Sequence, residues 1–145
     1  LYPMTAVRDV EDCYRVTHVE APEDATASSR STDPLWEAAH QAQQVAEERL
    51  DREAGASRGR VAIIVGAQRA RAWGADVDGE TALSERVALL SANASKGLEF
   101  DSVVLVEPGE IMSDGIGDLF VALTRATHDV HVVHASPLPA GMEEW

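Results

Sequence analysis

The chain has 145 residues, 45% of them hydrophobic, with three tryptophans; it can bury one core without metal or disulfide staples and is too apolar for a disordered segment. Acids outnumber bases 25 to 12, for a formal net charge of −13. That argues against a domain that grips nucleic acid unaided, because phosphate neutralisation supplies most of such affinity. No apolar run approaches the ~20 residues that span a bilayer, and the single cysteine, Cys13, excludes an internal disulfide and fits a cytoplasmic setting.

The opening Leu1-Tyr2-Pro3-Met4 shows neither an initiator methionine nor a signal-peptide pattern and is expected to be a cut inside a longer protein. In an N-terminal region, 1–20, the alternation of Tyr14-Arg15-Val16-Thr17-His18-Val19 predicts a short half-buried strand. Residues 21–33, rich in Ala, Ser, Thr, Pro and acids, are expected to form a flexible connection. Asp33-Pro34 then opens a helix, the aspartate capping free amides and the proline tolerated in the first turn. Leu35, Ala38, Ala39, Ala42, Val45, Ala46 and Leu50 fall on one face of it, and Glu37, Gln41, Gln44, Glu47, Glu48 and Arg52 on the other. Gly55 is a plausible stop.

Four further strands are expected. Arg60 to Val65, Val87 to Ala92 and Ser102 to Val106 are nearly continuous apolar runs, the pattern of strands buried on both faces. Asp129 to Ala135 alternates Val with His and suits a place nearer an edge. A helix from about Ile116 to Thr127, with Leu119, Phe120, Leu123 and Ala126 as its apolar stripe, separates the last two. This order predicts an α/β domain over 34–136, a mainly parallel sheet flanked by helices, with a loose tail at 137–145. Ligands of such sheets sit outside the carboxyl ends of the strands. That would put Gly66-Ala67-Gln68-Arg69-Ala70-Arg71 at a functional edge, joined there by the segment leading into Lys96.

Two segments carry chemistry. Lys96-Gly97-Leu98-Glu99-Phe100-Asp101 supplies the chain's one lysine, a glycine that permits close backbone approach, and a carboxylate able to accept from a sugar hydroxyl; an ordinary charged turn has the same composition. Thr124-Arg125-Ala126 places an arginine in an apolar helix stripe, which is costly unless paired, and Glu99 or Glu107 could pair it. Arg69 and Arg71 follow the first buried strand, where either could contact phosphate or both could be solvated on a short helix.

In this order, Lys96-Gly97-Leu98-Glu99-Phe100 before a Val-rich strand and Val121-Ala122-Leu123-Thr124-Arg125-Ala126 about twenty residues later resemble the fifth and sixth motifs of UvrD/Rep-like superfamily 1 motor ATPases. The resemblance covers about residues 87 to 138. It implies the second, RecA-like motor domain of a larger protein. Glu99 would contact the nucleotide ribose, with Gly97 and Thr124 in the same nucleotide site. Arg125 would reach across an interdomain cleft to the γ-phosphate as an arginine finger, with Arg69 or Arg71 filling the weaker fourth motif. Asn93, Ser95 and Lys96 would couple ATP state to the nucleic-acid track.

Asn93 stands where UvrD and Rep usually carry a strand-sensing histidine, and Asn cannot carry charge. The run from Leu98 to Pro108 resembles HelD-type proteins more closely, UvrD-like ATPases that bind RNA polymerase and release it from nucleic acid. The chain has no G-x-x-x-x-G-K-[ST] P-loop and no convincing acidic Mg²⁺ strand. Alone it is therefore expected to hydrolyse no ATP and to hold neither ATP nor Mg²⁺ tightly; both would belong to the full-length protein. The implied partners are a P-loop motor domain of the same polypeptide and single-stranded DNA or RNA polymerase, with no membrane. A non-catalytic interaction module with the same fold is the rival reading. His18, His40, His128, His131 and His134 lack matched acidic or Cys ligands, and Glu110, Asp114 and Asp118 lack an EF-hand pattern, so no metal site is expected.

Overall fold

A computed structural model describes residues 13–20, 30–54, 59–76 and 85–142. Among them run β1 (Tyr14–His18), α1 (Pro34–Ala54), β2 (Val61–Val65), α2 (Ala67–Trp73), β3 (Val87–Ser91), β4 (Phe100–Val106), α3 (Pro108–Asp114), α4 (Ile116–Leu123) and β5 (Ala126–His134). The strands form one five-stranded sheet in the order β1-β5-β4-β2-β3, and every pairing is parallel.

Parallel sheets need cover on both faces, and the sequence supplies two apolar layers. On one side Leu35, Ala39, Ala42, Ala46 and Leu50 of α1 and Ala70 and Trp73 of α2 meet Val61, Ile63, Val65, Val104 and Val106. On the other, Ile111, Leu119 and Ala122 of α3 and α4 meet Ala62, Ile64, Leu90, Val103 and Leu105. All five residues of β2 are buried, as its unbroken apolar run requires. Asp33 caps α1 as expected, accepting the Leu35 amide at 2.9 Å. Arg49 ties the helix down through Asp129 and donates to Ser102 Oγ at 3.0 Å.

Several expectations are corrected. The helix read as 116–127 stops at Leu123, with Thr124 as its cap, because Ala126 already pairs with Phe100 and starts β5. Thr124 and Arg125 therefore lie in a turn, Ala126 is on a strand, and Phe120 is 60% exposed rather than in the buried stripe. The helix Pro108–Asp114 was not expected. The β3 strand, expected to be buried on both faces, ends the sheet and leaves Val87 and Leu89 half-buried; among the described residues its outer side is met by an isolated bridge from Asp76 to Leu90. Before residue 34, β1 pairs with β5. In the tail, Met142 is 4% exposed and its carbonyl accepts from the Tyr14 hydroxyl at 3.4 Å. Within the 21–33 connection, residues 21–29 lie outside the described residues; Arg30–Thr32 form a 3₁₀ turn and Asp33 is buried. Gly55 also lies outside the described residues.

Candidate functional site

Parallel strands give the sheet two chemically distinct edges, and the candidate residues divide between them. Leu98 and Glu99 immediately precede β4, and Thr124 and Arg125 immediately precede β5, so these four gather at the amino edge. The Phe100 amide donates to the Arg125 carbonyl at 2.9 Å and locks the two turns together. The Arg125 side chain then folds back: Nε donates to Val121 O at 3.0 Å, Nη1 to Leu98 O at 3.3 Å and Nη2 to Thr124 Oγ1 at 3.1 Å. No carboxylate forms an ion pair with Arg125 among the described residues. Neither carboxylate considered for it serves. Glu99 is exposed, and Glu107 is buried beyond the other end of β4, accepting from the Ala135 amide at 2.9 Å, the Ser136 amide at 3.1 Å and the Ser136 hydroxyl at 2.9 Å. The guanidinium is thus aimed by neutral oxygens, which orient a cation without cancelling its charge.

Gly97 has φ of 80°, a left-handed conformation that glycine adopts without penalty, and a Cβ there would meet nothing within 4 Å; the backbone, not space, demands glycine. Lys96 and Asn93 are exposed. Ser95 is fully buried and its hydroxyl donates to Ala92 O at 2.6 Å, so it shapes the turn from within. One cation at this edge escaped the sequence reading: the Arg60 guanidinium lies 4.7 Å from the centroid of the Phe100 ring, and its amide donates to Asp101 Oδ2 at 2.7 Å.

Arg69 and Arg71 sit at the opposite, carboxyl edge, on α2 just after β2. Arg69 is 2% exposed, with every guanidinium nitrogen engaged: Nε and Nη2 donate to Glu110 at 2.9 and 2.8 Å, and Nη1 to Asp33 at 2.6 Å. Burial pulls the Arg69 pKa down, but the hydrogen bond and charge of Glu110, with the charge of Asp33, outweigh it and leave it raised. Trp73 Nε1 also donates to Asp33, at 3.2 Å. Arg71 is exposed. A cleft of about 250 Å³ opens here between Gly66, Arg69, Glu110 and Asp114. The Asp114 carboxylate already accepts the Ala67 amide at 2.7 Å, filling the α2 start with negative charge.

The segment before Lys96 does join Arg69 and Arg71 at the carboxyl edge, whereas Glu99, Thr124 and Arg125 do not. Asn93–Ser95 do follow the carboxyl end of β3, but the chain continues under the sheet, packing Ala94 and Leu98 against the α3–α4 core. It surfaces at the amino end of β4. Five strand residues span about 17 Å, so Glu99, Thr124 and Arg125 are brought together while Arg69 and Arg71 stay a strand length away.

The histidines do not gather at one site, although His18 and His134 meet edge to face with ring centroids 5.1 Å apart. His131 Nε2 meets Thr17 Oγ1 at 2.7 Å, His134 Nδ1 meets Ser136 O at 2.7 Å, and His128 lies on β5 rather than before it. No group of three metal-ligating side chains forms among the described residues, and none of their helices is long and apolar enough to cross a membrane.

Comparison with solved structures finds the same fold. The chain is similar to the C-terminal domain of a possible DNA helicase from Lactobacillus plantarum WCFS1, with a TM-score of 0.51 and 21% identity over 88% of this chain and 76% of that one. At that identity the likeness is one of architecture: an α/β, RecA-like parallel sheet flanked by helices. No protein-family model matches the sequence, and no curated protein matches it.

Proposed function

We propose that this chain is the C-terminal motor domain of an ATP-dependent UvrD-like DNA helicase or translocase, completing an ATP site whose P-loop lies on another domain of the same polypeptide. The observation that carries the reading is Arg125. It is half-buried, aimed by Val121 O, Leu98 O and Thr124 Oγ1, and has no carboxylate to neutralise it among the described residues. Glu99, one residue beyond Leu98, is exposed beside it.

A guanidinium and a carboxylate at one edge fit the two ends of a nucleoside triphosphate, the cation toward terminal phosphate and the carboxylate toward a ribose hydroxyl. ATP, with its Mg²⁺ held by the first motor domain, supplies the phosphoryl group. The residues here would position and stabilise: Arg125 would offset charge on the transferring group, a contribution worth factors of ~10³–10⁵ when an arginine finger is in place. Glu99 would fix the nucleotide, and Lys96, Gly97 and Ser95 would link that contact to the crossover. Arg69, with every guanidinium nitrogen engaged, serves in this reading as a tie for α1 and α2. Without a P-loop the isolated chain would turn over no ATP. The setting proposed is the cytoplasm.

In the full-length protein, Arg125→Ala should lower ATP turnover at least 10³-fold while far-UV circular dichroism stays unchanged; near-normal turnover refutes the assignment. A HelD-type role in releasing RNA polymerase is favoured by Asn93, which carries no charge to a nucleic-acid strand, and by the net charge of −13. ATPase stimulation by RNA polymerase and not by single-stranded DNA would select it; stimulation by DNA would select the translocase. Polymerase binding without ATPase activity in the full-length protein would select the non-catalytic module.

A further inference from the structure

The Arg125 guanidinium is held at three points, one on each nitrogen. Two of the anchors are backbone carbonyls, Val121 O at 3.0 Å and Leu98 O at 3.3 Å, which any side chain at those positions would leave in place. The third is the Thr124 hydroxyl, 3.1 Å from Nη2. It alone depends on the identity of a residue.

The polarity of that hydroxyl is forced. Thr124 caps α4, and its Oγ1 lies 3.0 Å from both the Phe120 and the Val121 carbonyls. Those oxygens can only accept, so the one hydroxyl proton goes to them. A guanidinium can only donate, so Nη2 meets a lone pair of Oγ1. Donation into the helix end polarises Oγ1 and makes it a better acceptor for the cation.

A guanidinium has five N–H donors. With three held, two remain uncommitted among the described residues, one on each terminal nitrogen. Donors on both terminal nitrogens are what a guanidinium uses to grip two oxygens of a phosphate at once. Such a grip works only while the plane of the guanidinium is fixed.

We propose that Thr124 is a positioning residue for Arg125: its hydroxyl sets the guanidinium plane so that both remaining donors meet the terminal phosphate together. Thr124 acts through Arg125 and not on the nucleotide, and its role rests on the reading of Arg125 as the arginine finger. Without the hydroxyl the guanidinium keeps two anchors and can swing about them, and a misplacement of about 1 Å can cost ~10²-fold in rate.

The test is steady-state ATP turnover by the full-length protein. Thr124→Val keeps the branched shape and removes the hydroxyl; Thr124→Ser keeps the hydroxyl and removes the methyl group. Thr124→Val should lower kcat about 10- to 100-fold while KM for ATP stays within about twofold. Thr124→Ser should recover most of that loss. The double variant Thr124→Val/Arg125→Ala should be no slower than Arg125→Ala, because the hydroxyl acts only through the guanidinium. Thr124 is exposed, and circular dichroism checks that each variant is folded. Wild-type kcat in Thr124→Val, a Thr124→Ser variant as slow as Thr124→Val, or a further loss in the double variant would each overturn the proposal. A raised KM with unchanged kcat would overturn it by placing Thr124 on the nucleotide. Near-normal turnover by Arg125→Ala, or a wild type that turns over no ATP, would refute the arginine finger and the role of Thr124 with it. A full loss in Arg125→Ala beside an unaffected Thr124→Val would refute Thr124 alone.

Discussion

Asp33 ties α1 to α2, and Asp33→Ala tests that tie directly. Asp33 is 6% exposed; Oδ1 caps α1 through the Leu35 amide, and Oδ2 accepts from Arg69 and from Trp73. Loss of an N-cap costs about 1 kcal/mol. Leaving a buried guanidinium short of a partner costs about 3–5 kcal/mol, but Glu110 remains and its side chain is 40% exposed, which places this case at or below the lower end. The sum is about 3–4 kcal/mol, against about 5–15 kcal/mol for the whole stability of a domain. Urea unfolding followed by tryptophan fluorescence should show the midpoint falling by roughly 1.5–2 M for an m-value of about 2 kcal/mol/M. The double variant Asp33→Ala/Arg69→Met should recover at least about 1 kcal/mol of the loss, because the orphaned charge is gone. A single-variant loss below about 1 kcal/mol, or a double variant that loses the sum of the two singles, would refute the account of Arg69 as a buried tie.

In the full-length protein, Glu99→Ala should weaken nucleotide affinity more than it changes turnover, read by equilibrium binding of a fluorescent ATP analogue; unchanged affinity counts against the ribose contact. Gly97→Ala should destabilise the chain by about 1 kcal/mol through φ alone, and an unchanged urea midpoint would mean that the turn relaxes freely. For His131, burial first and then Arg15 hold the pKa below its usual value, with Asp129 working against them. The unfolded chain therefore takes up the proton first as pH falls. The stability this contributes is complete above about pH 6.5 and is lost as pH drops from there through the folded value. His131→Gln should flatten stability between pH 7 and 6; an unaltered slope would assign the dependence to another group.

The alternation of strand and helix, the cap at Asp33, the buried character of β2 and β4, and the two segments that bear charge in apolar surroundings are all legible in the amino-acid order. These follow from periodicity and local chemistry, which act over a few residues. Tertiary structure decided which of those segments meet. The eight residues from Ala92 to Glu99 could have turned back at the carboxyl edge; burying Ala94, Ser95 and Leu98 under the sheet carries Glu99 to the opposite edge, a fact no local pattern contains. Parallel pairing of Phe100 with Ala126 ended α4 early and drew Arg125 out of the helix, overriding a run that is apolar enough to continue it. Arg69 was the reverse case. Its neighbours in sequence suggest a surface helix, yet partners 36 and 41 residues away bury it, because Asp33 and Glu110 reach the same point only once both helical layers have closed on the sheet.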